Sequence, residues 1–140
     1  MEYSARRIGK MAFYAKTPSG HDIHMDANES SGGDGSAPAP MEMVMAALMG
    51  CTSMDVVSIL SKMKVTDYEY WISANYEHAK EHPKVFTSIE LVYHFSGKNL
   101  PKDKIEKAVT LSQERYCSVS AMLGKTADMS MRIEYEGEEK

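Results

Sequence analysis

Close cysteine pairs, a surplus of basic charge and long uncharged apolar runs are all missing from this chain, and each absence excludes a class of function. Its only two cysteines, Cys51 and Cys117, stand too far apart for a CxxC redox motif or the paired spacing of a zinc finger. A formal charge of −4, with acidic and basic residues mixed, gives no electrostatic footprint for nucleic acid or an anionic membrane. Residues 43–54 are free of charge, but that run is well short of the ~18 residues of a membrane span. The start, MEYSARRIGK, lacks the apolar stretch of a signal peptide, so the expected location is cytoplasmic. Cysteines there stay reduced unless they work. GxGxxG, GxxxxGK[ST] and GxSxG are all absent, removing the usual signatures of dinucleotide, phosphate-loop and hydrolase sites. His78 and His82 sit in the turn-rich EHAKEHP segment with no third ligand in sequence reach. Neither a metal nor a cofactor is expected.

What is abundant is methionine, with twelve residues, six of them between Met41 and Met63. Methionine fills irregular space and tolerates several packings, which suits an adaptable core. The run PMEMVMAALMGCTSMDVVSILSKM, Pro40 to Met63, predicts a long helix that is apolar nearly all round and wants cover on every side. Pro40 suits its first turn, where a missing N–H costs least. Cys51 lies in the middle. As a small hydrophobe it needs no function there, and Asp55, four residues on and hence on the same face, would repel a thiolate.

Around this helix the chain reads as a single domain over residues 1–140. Residues 1–27 form an N-terminal hairpin, with one strand over Tyr3–Ala15, a turn at Thr17-Pro18-Ser19-Gly20 and a second strand through Ile23 and Met25. Residues 28–39, rich in Gly, Ser and Pro, are a crossover loop. Residues 40–140 are a helix, hairpin, helix and strand body. Alternation over Tyr68–Tyr76 and Val85–Phe95 predicts a second antiparallel hairpin, and a helix from Pro101 to Tyr116 places Ile105, Ala108, Val109, Ser112 and Tyr116 on one face. Ser118 is a good N-cap for a short turn that Gly124 ends, which sets Cys117 beside that turn's positive end. Ala127–Tyr135 alternates as a last strand, and the tail GEEK is solvated. Strands in runs rather than singly between helices indicate α+β, with antiparallel sheets wrapped around the central helix.

The runs PMEMVMAALMGCTSMDVVSIL, HPKVFTSIELVY and ERYCSVSAML resemble the OsmC/Ohr family of osmotically induced and organic hydroperoxide resistance proteins, with a match in order from Gly20 to Tyr135. The resemblance is to an OsmC-like branch. It implies an intertwined homodimer, whose second subunit would cover the all-round apolar helix. It also implies a peroxiredoxin-type, redox-active cysteine: Cys51 oxidised by an organic hydroperoxide to sulfenic acid, Cys117 resolving it to a disulfide, and an external dithiol restoring both. Family peroxidases follow the helix-opening proline with a glutamate that orients an arginine. Here Met41 holds that place, Glu42 comes one residue late as the nearest supporting candidate, and no arginine occurs between Arg7 and Arg115. Lys10 or Lys16 could substitute only as point charges. The alternative function is a small-molecule or thiol-metabolite binding protein with little peroxidase activity.

Overall fold

In a computed structural model, which describes residues 1–137, the chain divides into two compact units, residues 1–46 and 47–140. Most of the predicted GEEK tail, residues 138–140, lies outside the described residues. The first unit holds strands β1 (Ala5–Arg7), β2 (Phe13–Lys16) and β3 (Asp22–Met25), paired in that order as an antiparallel meander. The single strand expected over Tyr3–Ala15 is therefore two. The chain reverses between them: Arg7 Nε donates to the Gly9 carbonyl at 2.9 Å, its guanidinium reaches the Lys10 carbonyl, and the Ile8 N–H bonds Ala12 O. A side chain closing a turn from outside leaves little trace in an alternation pattern. The turn at Thr17–Gly20 forms as expected, with the Gly20 N–H on Thr17 O and Gly20 at φ +90°.

The glycine-rich crossover is an ordered loop built on Asp26, which is almost completely buried. Its carboxylate accepts the Ala27 N–H at 2.7 Å, the Asp34 and Ser36 N–H groups, and the Ser36 hydroxyl at 2.7 Å. Gly33 is required by close approach, since a Cβ there would sit 2.0 Å from the Ala27 carbonyl oxygen. The Ser36 hydroxyl first, and the backbone donors after it, hold the Asp26 carboxyl below the ordinary carboxylate range. A pKa lowered on folding contributes stability that is complete above the unfolded value of about 3.9 and is lost as pH falls through the folded one. Asp26→Asn, which keeps the shape but not the charge, should lose stability at pH 7 and show a smaller further loss than the parent between pH 5 and 2. Urea midpoints across that range measure it, and parallel curves would refute it.

Helix α1 (Pro40–Lys62) begins in the first unit and continues through the second. The second unit adds β4 (Glu69–His78), β5 (Phe86–Ser96), α2 (Lys102–Leu111), a π-helical turn at Ser112–Tyr116, α3 (Ser118–Leu123) and β6 (Asp128–Tyr135). β4 and β5 pair antiparallel as the alternation predicts, with Tyr70 opposite Phe95, Ile72 opposite Tyr93 and Ala74 opposite Leu91. A bulge at Glu77/His78 then shifts the register, so Phe86 turns inward and Val85 outward, against the predicted alternation. β6 runs parallel to β5. The sheet is mixed rather than wholly antiparallel, because α2, the π turn and α3 form a crossover that returns the chain in the same direction. The α+β class stands.

By length and composition α1 could cross a membrane, yet one side of it is core. Leu48, Thr52, Val56 and Leu60, each four residues from the next, are fully buried. Part of the remainder is left bare: Met54 is 74% exposed and Val57 44%.

Candidate active site

Thr52 is the one polar member of the buried stripe on α1, and a hydroxyl there needs partners. It finds them on β5 and the π turn. Its Oγ1 lies 2.6 Å from Tyr93 Oη and 2.8 Å from Ser112 Oγ, and Gln113 Nε2 donates to both Thr52 Oγ1 and Tyr93 Oη. Ser112 also bonds Asp55 Oδ2 at 3.0 Å. The Gln113 amide nitrogen can only donate and an ionised carboxylate can only accept. Those ends set the direction: Tyr93 donates to Thr52, Thr52 to Ser112, and Ser112 to Asp55. Burial pushes the Tyr93 phenol up to about 12; the Thr52 and Gln113 bonds oppose that, while the charges of Cys117 and Asp55 add to it. Thr52→Val keeps the volume and strands part of this chain. It should cost about 1–3 kcal/mol in urea unfolding, and an unchanged midpoint would show the network to be replaceable by packing.

At the end of that chain lie both thiols. The sulfurs of Cys51 and Cys117 and a carboxylate oxygen of Asp55 all lie within 4.8 Å of one another. Both cysteines are free; Cys51 is half-buried and Cys117 only 3% exposed. Cys51 and Asp55 share a face of α1 by the four-residue spacing, while Cys117 is delivered by the π turn. In an α-helix residues five apart differ by about 140° around the axis. The wider π turn, closed by the Cys117 N–H on Ser112 O at 2.8 Å, stacks Cys117 beneath Ser112 instead. That displaces Tyr116, expected on the buried face with Ser112, which is 55% exposed. Insertions of this kind recur at functional sites.

The cap of α3 also differs from expectation. Cys117 itself, not Ser118, is the N-cap: its Sγ accepts the Ser120 N–H at 3.4 Å. Burial is the main influence on the Cys117 thiol and raises its pKa; the Ser120 hydroxyl and N–H pull it down, and the neighbouring Cys51 sulfur raises it again. Cys117 is thus held as a thiol.

Glu42 belongs to the first unit, where its carboxylate accepts the Ala39 N–H at 3.0 Å at the start of α1. Arg7 is spent on its own turn, and Lys10 and Lys16 face Asp34 and Asp22 in exposed pairs at 4.0 and 3.8 Å. Sequence reasoning missed Thr52, Ser112, Tyr93 and Gln113 as a network, since only the fold joins positions so far apart; the polar Thr52 in an apolar stripe was the one available sign. Two grooves follow α1. One of about 410 Å³ runs past Asp55, Ser58, Lys62 and Tyr116, and one of about 570 Å³ past Ser53, Met54, Val57 and Tyr70.

The OsmC-like protein family matches residues 33–132, which include the whole of this thiol and carboxylate cluster. The chain belongs to the OsmC-like family. It is 37% identical to Protein YhfA of Escherichia coli K12, over 96% of this chain and 97% of that protein. Among solved structures it resembles a hypothetical protein from Aquifex aeolicus, at 27% identity and TM-score 0.83, over 99% of this chain and 97% of the other. It also shares the fold of the organic hydroperoxide resistance protein OsmC from Legionella pneumophila, at 16% identity and TM-score 0.67, over 96% of this chain and 97% of that one. This OsmC-like chain therefore has the family's fold.

Proposed function

We propose that the protein reduces organic hydroperoxides with Cys51 and Cys117, as a cytoplasmic homodimer serving oxidative-stress defence. The observation that carries this reading is the meeting of the two sulfurs, from positions 51 and 117, within 4.8 Å beside one carboxylate. The likeness to hydroperoxide resistance proteins supports it.

The half-buried Cys51 meets the peroxide and the buried Cys117 resolves. The Cys51 thiolate attacks the distal oxygen of ROOH, the O–O bond breaks, and the alkoxide leaves as ROH with a proton, giving Cys51 sulfenic acid. Cys117 then loses its proton and attacks the Cys51 sulfur, and hydroxide departs with that proton as water. The carboxylate of Asp55, held by the Ser112 hydrogen bond, is the nearest carrier for it. An external dithiol opens the disulfide by exchange. The sulfurs, within 4.8 Å of each other, need to close to about 2.05 Å to bond. The apolar groove along Met54, Val57 and Tyr70 favours a second reading, a binding protein for a small apolar ligand or thiol metabolite.

Adding one equivalent of an organic hydroperoxide to the reduced protein should remove two titratable thiols per chain and lower the mass by two hydrogens. Loss of one thiol alone, or a disulfide between chains, would overturn the scheme.

A further inference from the structure

We propose that Cys51, Asp55 and Cys117 together bind a soft divalent cation of the zinc type in the reduced protein, with one open position for water. The three donor atoms lie within 4.8 Å of one another, and none of the three residues is fully exposed. A tetrahedral zinc with Zn–S of about 2.3 Å and Zn–O of about 2.0–2.2 Å spaces its ligands by roughly 3.5–3.8 Å. The cluster needs a modest contraction to reach that spacing. Two thiolates select zinc over magnesium or calcium, which prefer oxygen alone.

The surroundings resemble an outer shell. Ser112 donates to Oδ2 of Asp55 at 3.0 Å, which leaves Oδ1 for a metal and fixes the carboxylate plane. Ser112 is held in turn by Thr52. The Ser120 N–H on Cys117 Sγ supports a thiolate there. Beside it Ser120 is buried, at 5% exposure, and its hydroxyl, its influence on the Cys117 thiol aside, makes no hydrogen bond of normal geometry. Binding releases one proton from each thiol: two Cys–SH and M²⁺ give the bis-thiolate and two H⁺, with no oxidation. The same sulfurs cannot both ligate and form a disulfide, so metal and disulfide exclude each other. The inference rests on ligand geometry and not on peroxide chemistry.

The test is titration of the reduced full-length protein with Co²⁺ under argon, followed by competition with Zn²⁺. One equivalent per chain should produce near-ultraviolet thiolate-to-cobalt absorption, and zinc should abolish it. Cys51→Ser and Cys117→Ser should each lose the band, and Asp55→Asn and Ser112→Ala should weaken affinity about 10–100-fold, with far-ultraviolet circular dichroism confirming the fold of each. Protein oxidised beforehand to the disulfide should give no band. A missing band in the wild type, one that survives Cys51→Ser, or affinity unmoved by Asp55→Asn overturns the site. Peroxide consumption of the metal-free protein, assayed alongside, separates the two ideas: turnover without metal binding sinks only this site, and metal binding without turnover sinks only the peroxidase.

Discussion

Cys51→Ser should bring consumption of an organic hydroperoxide down to that of a protein-free control, while Cys117→Ser consumes one equivalent per chain and then stops. The asymmetry comes from where the sulfurs sit. Cys51, half-buried on α1, is the sulfur that a bulky peroxide can reach; Cys117, 3% exposed and kept as a thiol by burial, is not. Serine at position 51 removes the nucleophile, and a hydroxyl there is far too weakly acidic to attack an O–O bond. Serine at 117 leaves the first attack untouched but removes the second thiol, so oxidation halts at a sulfenic acid that a cyclic dione reagent traps and mass spectrometry counts. A small monothiol should then restore slow turnover by resolving from solution. Turnover that survives in Cys51→Ser, or a Cys117→Ser protein that cycles at the parent rate with a dithiol, would contradict these roles.

Local pattern was enough to find α1, the β4–β5 hairpin and β6, because a long apolar run and the alternation of the strands are both written in adjacent residues. It failed where the structure depends on something outside the pattern. Arg7 closes the β1–β2 turn with its side chain, the Glu77/His78 bulge reverses the faces of Val85 and Phe86, and the π turn moves Cys117 into the place that an α-helix gives Tyr116. No single residue announces a π turn, since it follows from what the surrounding contacts require. The parallel pairing of β6 was also hidden, because strand direction is decided by the connection and not by the strand. In the site, both thiols were legible as residues, and Asp55 as the neighbour of Cys51 on α1. Their meeting was carried by the family resemblance alone, because 66 positions of chain separate them. The relay from Tyr93 through Thr52 and Ser112 left only one trace, a threonine in an apolar stripe, and that trace names no partner until the fold places the Thr52 and Ser112 hydroxyls 2.8 Å apart.

Val57→Asp should convert a dimer at micromolar concentration into a monomer whose circular dichroism is unchanged, a twofold drop in mass by sedimentation or light scattering. Val57 is 44% exposed and its neighbour Met54 74%, so neither contributes much to the core of its own chain, and both line the groove beside Tyr70. A contiguous bare apolar face on a long helix marks an interaction surface, and a second copy is the occupant the family resemblance supplies. In a twofold interface a single substitution enters twice, so two new carboxylates would be buried in a largely apolar groove, each at several kcal/mol. That exceeds what a standard interface can absorb and still hold at micromolar concentration. The charge reversal Val57→Lys should dissociate the pair equally, because burial and not the sign of the charge sets the cost. Val57→Leu should leave it intact. A wild-type protein that sediments as a monomer, or a Val57→Asp dimer as tight as the parent, would place the interface elsewhere and leave the apolar side of α1 for another ligand.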